Sequence, residues 1–534
     1  MKSQVTVRHC RRILCVFPRY VPSFGTFQHA YPLMDGVRAF MPPQGILVVA
    51  AYLPAAWQVR LIDENIRPAT DEELAWADCI FVSGMHVQRD EINGLARRAR
   101  ALGKATVLGG PSVSAAPEEY PAFDYLHLGE IGDATDALIG ALDADPSPPP
   151  SQLRFTTQER LPLADFPIPA YGLIDGRRYF LGSVQFSSGC PYRCEFCDIP
   201  ALYGRQPRLK QPQQVVAELD ALLTAGISGS VYFVDDNFIG NKKAARELLP
   251  HLIAWQRSRG FPLQLSCEAT LNIAQCPDIL AMMREAYFCT VFCGIETPEL
   301  GALGAMQKSH NSVMPILDAV GILNRHGLEV VSGIILGLDT DTAATAANLT
   351  EFIDRSQIPV LTINLLQALP MTPLWDRLAD AGRLSDDPVR ESNVVFVRPY
   401  DEVLEDWGRA IRHAYRPQAI YRRFAWNQLR TYPNRIRPPL SRARLSARNL
   451  RRAVVILAKL FVRVGIFGDY RRAFWDMARP ALRSGRIEEV IQIGLVAHHL
   501  IVFARECADG RQNASFYADR TKQVAAESAE PLPI

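Results

Sequence analysis

The 534-residue sequence predicts an α/β protein with three parts. A doubly wound parallel sheet comes first, then a β/α partial barrel, then a mostly helical C-terminal extension. Two observations carry this reading. Short apolar runs alternate with helical stretches through the first 145 residues and again across the middle of the chain, the pattern of parallel βαβ units. Beyond residue 400, arginine-rich amphipathic stretches replace strands. The expected divisions are 1–145, 146–400 and 401–534.

In the N-terminal part, Arg12-Ile-Leu-Cys-Val-Phe17 reads as a strand followed by a long loop rich in Pro, Gly and aromatics. Gly45–Tyr52 reads as a helix and Val59–Asp63 as a second strand. Cys79–Ser83, Ala105–Leu108 and Tyr125–Leu128 complete five strands, with a helix from Arg89 to Leu102 between the third and fourth. Such sheets bind ligands beyond the carboxyl ends of their strands. That edge would carry Ser83-Gly84, Gly109-Gly110 and Gly129-Glu130, where missing side chains let a large flat cofactor approach the backbone. Tight strand–helix turns would need the same glycines. There is no G-x-G-x-x-G opening a helix and no Walker A motif, so these residues alone do not name a ligand.

The central part opens with the densest chemical signal, Ser187-Ser-Gly-Cys190-Pro-Tyr-Arg-Cys194-Glu-Phe-Cys197, after the β-like run Val184–Phe186. Zinc takes four ligands, usually as two separated pairs, whereas three thiolates here crowd one loop without a nearby fourth. A [4Fe–4S] cluster held by three thiolates would leave one iron open to a small chelator. A structural zinc site and three unrelated loop cysteines are the competing readings. Strands then follow at Ser230–Val234, Leu263–Cys267, Thr290–Glu296, Val330–Gly337 and Thr362–Leu366, with helices around 242–257, 278–286 and 313–326. Polar residues gather at the strand ends, where barrel enzymes place their sites. Cys267, Cys276, Cys289 and Cys293 are scattered and read as buried thiols.

Charge separates the last part from the rest. The whole chain carries 58 Lys+Arg against 56 Asp+Glu, yet Asp401–Arg486 holds 20 basic against 6 acidic residues, a net of +14 that leaves −12 elsewhere. Arg448, Arg451, Arg452, Lys459 and Arg463 alternate with aliphatic residues as a basic amphipathic helix. Three readings are open: a helical cap with solvated arginines, contact with an anionic membrane, or RNA. The lack of a strand-rich small barrel counts against RNA. Residues after Asp509 read as a loose tail. No leader is legible, no run reaches ~18 uninterrupted apolar residues, and eleven cysteines suit a reducing compartment. The expected location is the cytoplasm.

The C-x3-C-x2-C loop with an aromatic before its last cysteine resembles the signature of radical S-adenosylmethionine (SAM) enzymes, which implies a partial TIM barrel. The resemblance implies that Cys190, Cys194 and Cys197 ligate a [4Fe–4S] cluster and that Phe196 packs near the adenine of SAM. It places Asp235 and Asp236 near the amino end of SAM, Glu296 near the ribose, and Ser332, Gly333 and Gly337 near the adenine. A doubly wound domain ahead of such a barrel is similar to the cobalamin-binding branch of that superfamily. That branch's D-x-H-x-x-G motif is absent, since Asp124-Tyr-Leu-His127-Leu-Gly129 has another spacing, so no histidine is assigned below cobalt. Met85 or His86 is the candidate for that face.

Within the branch the chain looks most like the hopanoid C-2 methylases. Phe17-Pro-Arg-Tyr-Val-Pro-Ser-Phe-Gly-Thr-Phe-Gln-His-Ala-Tyr31, Met41–Gly45, Ile62-Asp-Glu-Asn65 and Ser83–His86 carry the likeness. It implies radical methylation of an unactivated hopanoid carbon, with methylcobalamin as methyl donor and flavodoxin or ferredoxin as electron source. It also implies that the cofactors do the chemistry, so no catalytic side chain is assigned. Peripheral contact with the inner face of the cytoplasmic membrane would suit a water-insoluble substrate. The alternatives are a non-methylating cobalamin-dependent radical enzyme and a membrane-associated iron–sulfur protein without turnover.

Overall fold

In the computed structural model of the chain, residues 3, 5–387, 390–439 and 447–512 are described, apart from the side chain of Arg448. The expected tail therefore lies outside the described residues from 513 onward. The chain divides into two compact units that interleave along the sequence. The first takes 1–21, 41–191 and 198–236, and the second takes 22–40, 192–197 and 237–534. The expected cut at 145 falls inside the first unit and that at 400 inside the second.

The first unit holds a six-stranded, wholly parallel sheet: β1 (Arg12–Phe17), β2 (Gln58–Asp63), β3 (Cys79–Ser83), β4 (Ala105–Gly109), β5 (Tyr125–Leu128) and β6 (Leu153–Thr156). Their order is β2-β1-β3-β4-β5-β6. In the register, Ile13 lies between Val59 and Cys79. Helices α1 (Gln44–Tyr52), α2 (Asp71–Trp76), α3 (Arg89–Ala101), α4 (Pro111–Ala115) and α5 (Asp133–Ala144) alternate with the strands. Alternate residues of β1 feed opposite faces. Ile13 and Cys15 join Ile46, Val48, Leu138 and Leu142 from α1 and α5. Leu14 and Val16 join Leu74, Ile92 and Leu95 from α2 and α3. A strand buried on both faces must be apolar throughout, which is why β1 has no period-two polar pattern. The sixth strand, absent from the expectation, is an exposed edge of mixed polarity, Leu-Arg-Phe-Thr, and so lacks an apolar run.

The same unit continues through β7 (Gly182–Val184), the hairpin of β8 (Ser187–Ser188) and β9 (Arg208–Leu209), α6 (Ile199–Leu202), α7 (Pro212–Thr224) and β10 (Gly229–Phe233). Strand β10 runs parallel to β7, with Phe233 opposite Val184. Beneath them Lys210 and Glu218 form a wholly buried ion pair at 2.5 Å. Burial pushes the Glu218 carboxyl up to about 7 despite the ammonium beside it. Removing one partner leaves a charge in a dry interior, so Lys210→Met is expected to cost about 3–5 kcal/mol. A Tm comparison with the double variant Lys210→Met/Glu218→Leu, expected to recover most of the loss, checks this.

The second unit contains the parallel ladder β11 (Leu263–Glu268), β12 (Phe288–Glu296), β13 (Glu329–Leu336) and β14 (Val360–Leu365). Around it lie α8 (Lys242–Arg259), α9 (Pro277–Glu285), α10 (Leu300–Ala305), α11 (Ile316–Arg325), α12 (Thr345–Ser356) and α13 (Pro373–Asp380). The C-terminal helices are α14 (Tyr400–Ala414), α15 (Pro417–Arg430), α16 (Ala447–Leu460), α17 (Arg471–Arg483) and α18 (Ile487–Ala508), with a π-turn at Phe461–Ile466. Trp407 of α14 ties this bundle to the ladder by donating from Nε1 to the Ile363 carbonyl at 2.9 Å.

Helix α18 is long and apolar enough to cross a membrane, but 67% of that window is buried inside the fold, so it is a core helix. Part of its cover comes from the far end of the sequence. Phe24 stacks on Tyr415 at 4.9 Å and meets Phe503 edge-on at 4.8 Å. His499 Nε2 lies 3.1 Å from the Ser23 carbonyl, and His29 Nε2 lies 2.9 Å from a Glu506 carboxylate oxygen. Burial lowers His499 to about 3, so it is a neutral ring at neutral pH. Four of the central cysteines, Cys267, Cys276, Cys289 and Cys293, are buried as expected.

Candidate cofactor sites and family

The carboxyl edge of the first sheet collects the residues expected there, but its glycines do different work. Gly110 takes φ +103°, and a Cβ there would lie 2.7 Å from Ser83 Oγ. A Cβ on Gly84 would lie 2.9 Å from Ile92 Cδ1. These two glycines let the turns after β3 and β4 close on each other, rather than leaving room for a ligand. Gly109 is the roomier one, since a Cβ there would meet nothing closer than His127 at 3.8 Å. Gly129, at φ +98°, packs its open face on Thr157. Met85 stands 45% exposed at this edge. The next residue, His86, has Nδ1 within hydrogen-bond distance of Ser112 Oγ at 3.0 Å, and its buried Nε2 has no partner. Burial lowers its pKa and favours the neutral ring, which in its Nδ1–H tautomer leaves Nε2 able to accept or ligate. The exposed Met85 side chain, the bare Gly109 and an unused imidazole nitrogen fit a large, mostly flat cofactor. Glu130 is spent otherwise, pairing with Arg208 at 2.5 Å and Arg160 at 3.1 Å.

The loop motif of the same unit is held by two carboxylates. Asp235, 1% exposed, accepts from the backbone N–H of Ser187, from Ser187 Oγ at 2.5 Å and from Phe186 N–H at 3.2 Å. Asp236 accepts from Gly189 N–H at 2.6 Å. Burial drives both acids up, Asp235 to about 7 and Asp236 to about 6, against the pull of these donors. Gly189, at φ +100°, has no room for a side chain, because a Cβ would lie 2.9 Å from the Gly204 carbonyl. That same carbonyl accepts from Cys190 N–H at 3.2 Å. The run before Cys190 is thus shaped by both aspartates and by glycine.

Cys194 and Cys197 belong to the second unit, where Cys197 N–H donates to the Cys194 carbonyl at 3.2 Å. The three loop cysteines are partly exposed and in no disulfide, while the others, apart from Cys10, are buried. Among the described residues no three His, Cys, Asp or Glu side chains are gathered for a metal ion. The fit of a cluster therefore rests on the donor set: three accessible thiols of one short loop, with a buried cation facing two of them. That cation is Lys308. Burial opposes its charge, but Glu296, then Cys194 and Cys197, outweigh burial and hold the ammonium above the usual lysine range. It pairs with Glu296 at 2.5 Å and lies 5.4 Å from the Phe196 ring centroid.

Glu296 ends β12 at φ +66°, just past a register shift between Gly294 and Glu296. The shift depends on Gly294, where a Cβ would sit 2.3 Å from Glu296 Oε1 and 2.8 Å from Lys308 Nζ. Ser332, wholly buried, donates to the Cys293 carbonyl at 2.7 Å and accepts from Ile295 N–H at 3.3 Å, so it laces the bulge. Gly333 faces Glu296 and Thr362, each 3.5 Å from its Cβ position. Gly337, at φ +90°, lies under the Phe396 ring. The structure thus brings Phe196, Glu296 and Gly333 to one region and places Ser332 behind it.

Several residues here escaped the sequence reading. Lys308 and Gly294 are two. A third group is Tyr192, whose ring stacks on His310 at 3.7 Å and whose hydroxyl accepts from Asn272 at 2.6 Å. A fourth is the chain Glu195–Arg377–Asp339–Arg383, with ion pairs of 2.5, 2.7 and 2.7 Å fixing the cysteine loop to α13. The one available signal was the dense polarity of the loop itself.

Comparison with known proteins agrees with this geometry. The B12 binding domain family matches residues 32–139, the radical SAM superfamily 184–353, and a domain of unknown function, DUF4070, 372–513. The chain is 58% identical over 515 residues to the hopanoid C-2 methylase of Rhodopseudomonas palustris, covering 96% of this chain and 98% of that one. The chain belongs to the hopanoid C-2 methylase family. Two solved structures share its fold. The radical SAM methyltransferase TsrM of Kitasatospora setae, solved with cobalamin and a [4Fe–4S] cluster, matches with TM-score 0.54 at 18% identity, over 71% of this chain and 80% of that one. The cobalamin-dependent radical SAM enzyme OxsB matches with TM-score 0.59 at 14% identity, over 97% and 83%. This hopanoid methylase homologue is therefore a cobalamin-dependent radical SAM methyltransferase, with strands β2–β5 of the first sheet in its B12-binding match and the cysteine loop in its radical SAM match.

Proposed function

We propose that this protein methylates C-2 in the A ring of a hopanoid lipid. The observation that carries the reading is 58% identity across nearly the whole of both chains to a hopanoid C-2 methylase, with Cys190, Cys194 and Cys197 standing on the expected loop. When bound, the cluster with SAM supplies hydrogen abstraction from an unactivated carbon, and cobalamin supplies the methyl group.

The chain's own residues bind, orient and shield. Cys190, Cys194 and Cys197 hold the cluster, and Phe196 lies against the adenine. Asp235 and Asp236 act through the backbone: their bonds to residues 186–189 present Cys190. Glu296 meets the ribose, its carboxylate aimed by Lys308. Ser83, Gly109 and Gly129 would line the cobalamin edge with Met85 or His86 toward the ring, while Gly84 and Gly110 close the turns behind it and Glu130 anchors Arg208 and Arg160. A small one-electron donor such as flavodoxin or ferredoxin supplies the reductant. The enzyme works in the cytoplasm, in peripheral contact with the inner face of the membrane that holds its substrate.

The test is anaerobically reconstituted protein with cobalamin, SAM, reductant and a bacterial lipid extract. Expected are 5′-deoxyadenosine and S-adenosylhomocysteine together, with a hopanoid heavier by one methylene. Deoxyadenosine alone would move the reading to non-methylating radical chemistry. Neither product would remove the activity.

A further inference from the structure

Exposed apolar surface is unevenly spread over this molecule. Among the described residues, sixteen large apolar side chains are exposed, and five of them fall between Leu450 and Phe467. Leu450, Val454, Val462 and Ile466 follow at steps of four, eight and four residues along α16 and the π-turn, on the side away from the buried Ile456 and Leu460, and each is 48–61% exposed. Phe467 follows at the tip and is the most exposed of the sixteen at 76%. A phenyl ring in water is not a packing accident when its neighbours repeat the pattern.

The inner face of this helix is a normal core face. Ile456, Leu460 and Val464 are buried, and Leu460 packs where a Cβ on Gly494 of α18 would be 2.4 Å away. The exposed ridge is thus a second apolar face, beyond what the bundle needs. Its surroundings are cationic. Arg463, Arg471, Arg472, Arg479 and Arg483 are exposed, and among the described residues none of them is ion-paired. Such a combination, aliphatic teeth with a protruding aromatic among arginines that carry no ion pair, matches the boundary of an anionic bilayer, where apolar groups enter the acyl region and cations meet headgroups. Nucleic acid would use the arginines but leave the ridge in water.

We propose that the ridge Leu450–Val454–Val462–Ile466–Phe467 is a membrane-docking element that inserts into an anionic leaflet, with Phe467 deepest. The inference rests on the hopanoid reading only for the reason such docking is useful, because a substrate dissolved in a bilayer must be collected from one. The physical case stands on the surface itself.

The test is flotation of the full-length protein with vesicles of phosphatidylcholine alone or mixed with phosphatidylglycerol, without SAM or substrate. Expected are strong binding to the mixed vesicles, weak binding to the neutral ones, and loss of binding as salt rises. Phe467→Asp is expected to reduce partitioning by about tenfold or more, and Val454→Glu to reduce it independently. Leu429→Glu, at an equally exposed apolar side chain outside the ridge (72%), is expected to change nothing. Equal binding by Phe467→Asp and the parent would overturn the proposal. So would a ridge covered by a second copy, seen as a dimer that Phe467→Asp dissociates, or competition by single-stranded RNA with no effect of Phe467→Asp. Methylation of a detergent-dispersed hopanoid separates the two readings. Turnover without vesicle binding removes only the docking element, and vesicle binding without turnover removes only the substrate.

Discussion

Alanine at Cys190, Cys194 or Cys197, taken singly, is expected to abolish deoxyadenosine formation and methylation together, with iron and sulfide content falling to background. Cobalamin binding and Tm should stay near the parent values. The asymmetry follows from position. These three thiols are partly exposed on a loop and support no core, whereas the B12-binding sheet has its own two packed faces. Cys293→Ala is the opposing control. Its thiol is fully buried in β12, so it should lower Tm and leave the iron content intact. Iron retained by a Cys194→Ala protein would remove that cysteine from the ligand set.

The second large effect concerns Lys308. Lys308→Met leaves Glu296 as an unpaired charge that is 7% exposed, at an expected cost of about 3–5 kcal/mol. Lys308→Met/Glu296→Gln should regain most of that stability, because the surviving group is neutral. Binding should not be regained. Both variants are expected to hold SAM at least about tenfold more weakly than the parent, since Glu296 loses its aim in one and its charge in the other. Equilibrium dialysis of SAM with a parallel Tm series reads the two effects separately. An unchanged Tm for the single variant would mean that Glu296 is solvated, against its burial here.

The contrast between what could and could not be read from the chain has a physical basis. The strands β1 to β5 were legible because buried parallel strands are continuous apolar runs, and their bounds were met to within a residue or so. The edge strand β6 was not, since an exposed edge carries no such run. At the cysteine loop the ligand types and spacing are local, so they stand in the sequence. Lys308, Gly294 and Arg377 act there only through folding, from about 100 to 180 residues away in the chain, and no spacing rule reaches that far. Ser332 shows the converse. The resemblance to radical SAM enzymes implies a place for it near the adenine, whereas its hydroxyl is used by the β12 bulge. The motif from Phe17 to Tyr31 was recognised only as a likeness. Its halves have separate mechanical duties. Asn65 and Gln88 tether the Pro18–Tyr20 turn at 2.6–3.2 Å, and residues from Ser23 to His29 cover α18.

That last arrangement governs the order in which the protein can be made. Ser23 to His29 leave the ribosome more than 450 residues ahead of the helix they cover. Until residues 487–508 emerge, the apolar faces of α14, α15, α16 and α17 that pack on α18 have no partner. Ser23 to His29 must then wait uncovered for most of synthesis, and the faces of α14 to α17 from their own emergence until α18 follows, a state in which chains associate wrongly. A chain ending before Ile487 should accumulate as aggregate even though the cysteine loop and the whole B12-binding sheet are already present.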